Sequence, residues 1–365
     1  MASFKNKLNF GGLFGSIGQK DGFVAFDIGS SSIKMVEAAM EKSGWRLLNA
    51  GAVGLPAGAV QNNMIVDSGA VVKALKGLVQ ENGVLATKVI AAVPGRSVIM
   101  KKLELPAQKE EELDANVEFE ANKIIPENLE NVNLDYQVVN YLEGGSKIEV
   151  LLVAVRKEIV ESYTDVIQQA GLEPAVMDVD YFAMESMYES NYDPQAPGEV
   201  IGLIHIGARY TSINVLSSGV STFTGDLPVG GEEFTDSLRR SLQLSGEDAE
   251  VLKITGMLEG QEYSDLEELL RPTSESLAED IRRTLSLYGA IASEEGIRTI
   301  FLSGGGARVR GLSGVLEEKL GVPVKLADPF RGFKMDKKIN VEYLQESAPQ
   351  FGVGVGLAIR RPGDK

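Results

Sequence analysis

Phe23–Glu37, FVAFDIGSSSIKMVE, is the stretch from which the fold is read. Phe23, Val24, Ala25 and Phe26 form an unbroken apolar run, which predicts a buried strand, and the run gives way to Asp27 and Gly29 before three serines. Gly29 permits a turn with positive φ, while Ser30, Ser31 and Ser32 offer hydroxyls and backbone N–H groups to one concavity, the chemistry of a phosphate-binding hairpin. Ile33, Met35 and Val36 supply the returning strand. Asp27 stands at the end of the buried strand, facing that concavity. A carboxylate there is costly unless a cation offsets it directly or through water, and nucleotide-bound magnesium is the natural candidate. For this stretch alone the alternative is an ordinary Gly/Ser hairpin in which Asp27 satisfies its own turn.

The architecture recurs. Val200–Val215, VIGLIHIGARYTSINV, is again an apolar strand, a residue before Ile-Gly, a small polar turn and a returning strand. Superposing Gly29 on Gly207 places Asp27 on His205, with Ser31 and Ser32 close to Tyr210 and Thr211. Two such hairpins from a duplicated fold can grip a phosphate chain from both sides. A third glycine site, Ile300–Ala307, IFLSGGGA, is a buried strand followed by three glycines and then a helical stretch, Arg308–Leu320. That order lets a sugar or phosphate lie against a helix N-terminus. Between these sites, Pro228–Phe234, PVGGEEF, reads as a turn opening a helix. In Ala249–Gly256, AEVLKITG, Glu250 and Lys253 are three apart and share a helical face. They either bracket an adenine edge or pair on the surface, and taken alone the spacing favours the pair.

Composition narrows the function classes. The chain has 365 residues, 44% of them hydrophobic, enough for two or three domains or one large bilobed unit. A net charge of −16 disfavours nonspecific binding to nucleic acid or to an anionic membrane. There is no Cys, which excludes disulfides, thiolate catalysis and Cys-ligated metals, and His205 is the single His, which excludes a His-rich metal site. No apolar run approaches 18 residues and the N-terminus lacks a signal-peptide apolar region, so the chain reads as soluble and cytoplasmic.

Residues 1–21 read as a flexible tail, its Lys5, Lys7 and Lys20 set among spaced apolar residues and glycines; a membrane- or partner-docking role is the alternative. Trp45–Val53 reads as a strand, Ser68–Asn82 as a helix, and Lys88–Val93 as a strand ending at Pro94-Gly95. A distinct block follows at 86–171: a strand at Ser97–Leu105, a helix at Gln108–Ile124, a hairpin of Leu134–Leu142 with Lys147–Val155, and a helix at Lys157–Ala170. This order predicts a small inserted sheet with helices on one side, either structural or a platform offering an edge or groove to a peptide. Asp180–Tyr192 reads as a helix leading to a Pro-rich turn at Asp193–Glu199.

DIGSSSIK at 27–34, IGARYTS at 206–212, GGEEF at 230–234, AEVLK at 249–253 and SGGGA at 303–307 together resemble the ordered motif set of the actin, Hsp70 and FtsA superfamily, over about residues 22–360. DIGSSSIKMVE behind a short tail, with the inserted block, resembles the PilM family of type IV pilus assembly. The resemblance implies an α/β, duplicated, bilobed fold with an FtsA-type small subdomain inserted in the first lobe. Its parts would be a first-lobe core at 22–85, 172–198 and 340–365, the insert at 86–171, a second-lobe core at 199–235 and 299–339, and a second-lobe subdomain at 236–298. It implies ATP with magnesium: Asp27 as the magnesium-water acid, Gly29, Ser30, Ser31, Ser32 and Lys34 as the first phosphate loop, Gly207, Ala208 and Arg209 as the second. Gly231, Glu250, Lys253, Gly304, Gly305 and Gly306 would form the nucleoside pocket. It also implies a partner, the N-terminal cytoplasmic peptide of PilN, held extended between the first-lobe core and the insert. The chain departs from the superfamily at His205, which replaces a second Asp; neutral imidazole ligates magnesium poorly, so hydrolysis would be slow or absent. His205 as a plain hydrogen-bonded strand residue is the simpler reading. A small-molecule kinase, with Asp178 or Asp180 as base, and a filament subunit are the alternative functions, since one fold hosts all three.

Overall fold

Apolar runs between turn residues form strands, and apolar stripes at helical spacing form helices, in the computed structural model, which describes residues 22–192, 199–291 and 296–364. The expected tail at 1–21 and residues 193–198 of the Pro-rich turn lie outside the described residues. The first lobe begins with β1 (Phe23–Ile28), β2 (Ser32–Glu41) and β3 (Gly44–Gly54), the small ribbon of β4 (Val60–Gln61) and β5 (Met64–Ile65), then α1 (Ser68–Glu81) and β6 (Lys88–Val93). The inserted elements are β7 (Val98–Pro106), α2 (Glu110–Ile124), β8 (Val132–Leu142) and β9 (Lys147–Arg156), after which α3 (Lys157–Gln169), β10 (Glu173–Val179) and α4 (Asp180–Asn191) return to the first lobe.

The second lobe repeats the plan with β11 (Val200–Ile206), β12 (Thr211–Ser217) and β13 (Val220–Leu227). Then come α5 (Gly231–Leu242), α6 (Gly246–Thr255), the ribbon of β14 (Met257–Leu258) and β15 (Gln261–Glu262), α7 (Leu266–Ile291), β16 (Thr299–Ser303), α8 (Leu312–Leu320) and β17 (Val324–Leu326). The chain finishes with β18 (Lys334–Met335), α9 (Val341–Ser347) and α10 (Gly352–Ile359). The two sheets have strand orders β10-β6-β1-β2-β3-β18 and β13-β12-β11-β16-β17. Each therefore carries an antiparallel three-strand meander followed by two parallel strands, β1 matching β11 and β6 matching β16. This is the duplication expected from the repeated hairpin.

Three boundaries differ from those expected. The insert is narrower than 86–171: β6 belongs to the first-lobe sheet, and the separate three-stranded sheet is β7-β9-β8, residues 98–156. Its one face is covered by α2 alone, through Leu113, Val117 and Ala121 against Val150, Leu152 and Ala154. The second expected helix, α3, does not share the face that α2 covers: Ile159, Tyr163, Val166 and Ile167 form an apolar stripe in the first-lobe core with Val71, Leu75 and Leu78 of α1, where Val98, Met100, Val153 and Val155 of the small sheet also pack. The chain also rejoins the first lobe earlier than residue 340, since Lys334 and Met335 pair with Arg46 and Leu47 of β3. The helices of the expected second-lobe subdomain share one core with the second sheet: Leu238, Leu252, Leu270 and Ile281 pack with Ile204, Ile213 and Leu302.

A further apolar core joins the lobes, with Ala183, Met184 and Met187 of α4 and Val353, Val355 and Leu357 of α10 beside Leu203, Leu216 and Phe301 of the second sheet. Helix α10, GVGVGLAI, alternates Gly with branched residues, and its backbone lies against α4: a Cβ on Gly356 would collide with the Ala183 carbonyl, and one on Gly352 with the Ser303 hydroxyl. Gly356→Val is expected to lower unfolding stability by more than ~3 kcal/mol, because the obstruction is backbone and cannot turn aside. Urea denaturation measures this, and a midpoint near the unsubstituted value would show that the α4–α10 contact is not tight.

Candidate functional site

The two hairpins close in the same way. Gly29 N–H donates to Ser32 O at 3.1 Å, and Gly207 N–H donates to Tyr210 O at 2.9 Å. In register, Asp27 faces Lys34 and His205 faces Ser212, seven residues on in each case. Gly29 does not adopt positive φ, contrary to expectation. Close approach is what favours glycine there: a Cβ would stand 3.2 Å from Ser32 O and 3.4 Å from Lys34 Nζ. Lys34 reaches back over the turn to Asp27, Nζ to Oδ2 3.5 Å, and supplies one cation beside the half-buried carboxylate.

Between the hairpins lies a cleft of about 110 Å³. Asp27, Gly29, Ser30, Ser31 and Lys34 line it from the first lobe, and His205, Gly207, Ala208, Arg209 and Ser212 from the second. Ligand pockets typically begin at roughly 300 Å³, so this space suits the phosphate end of a nucleotide, and a whole one requires the lobes to adjust. The two lobes touch across the cleft. Arg96 stacks on Tyr210 with its guanidinium carbon 3.4 Å from the ring centre, Tyr181 donates to Asp226 at 2.6 Å, and Arg209 reaches Val60 O at 3.4 Å while pairing with Glu232.

Asp180, at the first position of α4, also lines the cleft. Burial pushes its carboxyl up to about 7; the Gly95 N–H, donating to Oδ1 at 2.8 Å, opposes this, and the charges of Asp226 and Asp27 reinforce it. Asp178 takes no part: it is buried, bound to Arg360 Nε at 2.8 Å, and outside the cleft. His205 is held near 4 by burial, Asp27 opposing and Lys34 assisting, so its imidazole is neutral. Ser303 Oγ lies 3.4 Å from His205 Nδ1 and donates to Pro349 O at 2.9 Å. Its hydroxyl proton being used there, Ser303 Oγ accepts from Nδ1–H, which leaves Nε2 without a proton. A neutral nitrogen ligand in place of a carboxylate suits magnesium poorly. Among the described residues no group of three or more His, Asp or Glu can hold a metal ion, so a cation here would rely on water and phosphate oxygens.

The nucleoside-side candidates gather around Gly231, beside the cleft and outside its lining. Gly231 N–H donates to Gly207 O at 2.8 Å; a Cβ on Gly231 would lie 3.6 Å from Lys253 Nζ and 3.7 Å from Gly306 Cα. Lys253 Nζ is 2.6 Å from Glu250, 2.8 Å from Thr235 Oγ1 and 3.1 Å from Gly231 O, which uses its three protons. Glu250 and Lys253 are thus paired, as the spacing favoured. Gly304, at φ 91°, packs where a Cβ would collide with the Ile206 carbonyl, whereas Gly305 is exposed with open space around it. The glycines lead into a 3-10 turn at Gly305–Arg308, and α8 begins only at Leu312 after a left-handed Gly311, so this loop does not aim a helix N-terminus at the cleft as expected. Ser32 opens β2 and is not among the lining residues.

Sequence reading missed Asn62, Asn63, Arg96 and Tyr163, all of which line the cleft. Pro94-Gly95 after an apolar strand was a signal for Arg96; Tyr163 gave none, since a tyrosine in an apolar helical stripe reads as core.

The raised carboxyl of Asp180 makes stability depend on pH. Folded Asp180 keeps a proton up to about 7 that the unfolded chain, with the ordinary 3.8, has already released. Its contribution therefore declines as pH rises between these values and stays low above them. Asp180→Asn keeps an acceptor for Gly95, so its stability gain over the parent protein is expected to grow from none near pH 4 to on the order of 2 kcal/mol at pH 8, a value reduced for partial solvent access. A difference independent of pH in denaturation curves would contradict this.

A family model described as type IV pilus assembly protein PilM matches residues 25–362. A solved PilM–PilN type IV pilus biogenesis complex is similar at TM-score 0.81 and 28% identity, over 93% of this chain and 98% of that one. Cell division protein FtsA of Bacillus subtilis (strain 168) is 22% identical over 381 residues, 92% of this chain and 82% of FtsA. MreB5 of Spiroplasma citri, solved bound to ADP, is similar at TM-score 0.50 and 14% identity, over 94% of this chain and 96% of that one. The fold is the duplicated actin-like α/β fold. Among the described residues no helix is long and apolar enough to cross a membrane.

Proposed function

The chain belongs to the PilM family of type IV pilus assembly proteins, and from that premise we propose that it is a cytoplasmic ATP-binding scaffold which holds the N-terminal cytoplasmic peptide of the inner-membrane protein PilN and links it to other components of the pilus machine. The observation that carries this is the pair of hairpins, closed by equivalent hydrogen bonds, that face one cleft containing the half-buried Asp27. Asp27 would hold magnesium through water, and Ser30, Ser31, Lys34, Gly207, Ala208 and Arg209 would cradle the phosphates, with Gly29 and Ser32 shaping the first turn. Gly231, Glu250, Lys253, Gly304, Gly305 and Gly306 would flank the nucleoside. MreB5, which shares the fold, binds ADP in its own structure.

The peptide would lie extended between the first-lobe core and the inserted sheet, whose outer strands β7 and β8 leave edges for main-chain pairing. PilN is the named companion of the similar PilM structure. Association with the membrane would then be indirect, through the partner. Hydrolysis would be slow: neutral His205 replaces an acid, and among the described residues Asp180 is the one carboxylate besides Asp27 that lines the cleft and could orient water.

Calorimetry of MgATP binding, with and without a synthetic PilN-type peptide, tests the proposal; saturable binding of both, with peptide affinity altered by nucleotide, is expected, and absence of MgATP binding at millimolar concentration would refute it. Gly305→Val should fold as the parent protein does, because open space receives the side chain, yet weaken MgATP at least tenfold, about 1.4 kcal/mol. Unchanged affinity would remove this loop from the site.

A further inference from the structure

The inserted sheet connects to the rest of the chain at two crossings, and both lead to the cleft. The incoming crossing passes from β6 to β7 through Pro94 and a 3-10 turn at Gly95–Ser97. Gly95 N–H is held by Asp180, a Cβ on Gly95 would collide with the Tyr181 ring, and Arg96 lies on the Tyr210 ring of the second hairpin. The outgoing crossing is immediate: β9 ends at Arg156 and α3 starts at Lys157. Six residues on, Tyr163 lines the cleft with Asp27 and Asp180.

Tyr163 is fully buried, and its hydroxyl has no hydrogen-bond partner among the described residues. An unpartnered buried hydroxyl is destabilising, and native structures rarely keep one without a use. Burial, followed by the charges of Asp180 and Asp27, pushes this phenol well up, so it is a neutral donor at every physiological pH. It bonds to neither carboxylate. Its proton is therefore available to a third oxygen in the cleft, on a phosphate or on water around a cation.

We propose that Tyr163 and Arg96 are further ligand-contacting residues of the cleft, which recognise the hydrated phosphate end of MgATP and transmit its presence to the inserted sheet. The proposal rests on the reading of the cleft as a nucleotide site. Tyr163 donates to the phosphate or its magnesium water. Arg96 exchanges its stacking on Tyr210 for the phosphate charge, which loosens a lobe-to-lobe contact and shifts the start of β7. Since α3 and the 94–97 turn are the two stems of the insert, both stems respond to one ligand. By linkage, a peptide bound on the insert must then change MgATP affinity by the same factor that MgATP changes peptide affinity.

The test uses the full chain, MgATP and a synthetic PilN-type peptide, in the parent protein, Tyr163→Phe and Arg96→Gln. Each variant is expected to bind MgATP about five- to twentyfold more weakly and to bring the coupling factor between the two ligands close to one; without nucleotide, Tyr163→Phe should bind the peptide as the parent does, whereas Arg96→Gln, which lacks the stacking on Tyr210, should already show the peptide affinity of the nucleotide-bound parent. Without ligand, Tyr163→Phe should melt at or above the parent temperature, because the lost hydroxyl had no partner. Parent-like MgATP affinity and coupling in both variants would overturn the proposal alone, as would a clear fall in the ligand-free melting temperature of Tyr163→Phe. A parent protein that binds no MgATP would overturn the nucleotide reading, and this proposal with it.

Discussion

The contact between α10 and α4 sets the distance at which the two lobes face each other. Gly356 lies against the backbone of Ala183, Gly352 against Ser303, and Gly354 against Val36, so the helix bears side chains only where a lobe has room for them. Val353, on the same helix, reaches the cleft. With two sheets joined by a tightly packed pair of helices, the hairpins following β1 and β11 are brought opposite each other, and among the described residues no backbone hydrogen bond joins the two turns across the gap. Their glycines and serines then have something to grip together.

The electrostatics of the cleft follow from that placement. Asp27 and Asp180 are crowded into partly buried space, Lys34 offsets one of them, and His205 stays neutral. Such a site favours an incoming cation carried by an anion, because the pair adds positive charge near the acids and brings the anion to backbone N–H groups and to Arg96 and Arg209. On the proposed reading hydrolysis is slow, since His205 presents a neutral imidazole to the cleft where Asp27 presents a carboxylate. The proposed scaffold role would need binding and not turnover.

Much of this was legible in the chain. Apolar runs ending in Asp-Ile-Gly and His-Ile-Gly marked the paired hairpins, and their equal spacing marked the duplication, because strand geometry and turn chemistry are local. The pairing of Glu250 with Lys253 followed from helical spacing. The limits of the insert were not legible: α3 has a strong apolar face, but nothing local says whether that face meets the small sheet or α1. Gly29 was expected to be left-handed, and its actual role, close approach to Ser32 and Lys34, is visible only in three dimensions. Tyr163 was missed for the same reason, since it acquires its meaning from the distant Asp27 and Asp180; Arg96 had a signal in Pro94-Gly95, but its contact with Tyr210 is visible only in the fold.

The α4–α10 contact fixes how the lobes meet, and on the proposed reading a ligand in the cleft then adjusts the mutual arrangement of the lobes and the inserted sheet. The chain contains no Cys, so pairs of introduced cysteines can be spin-labelled without background. Exposed Lys73 on α1, Arg239 on α5 and Asn133 on β8 report the first lobe, the second lobe and the insert. Pulsed electron paramagnetic resonance on Lys73→Cys with Arg239→Cys, and on Lys73→Cys with Asn133→Cys, measures both separations. The account predicts that saturating MgATP shifts both distance distributions; distributions that stay the same with nucleotide bound would contradict it.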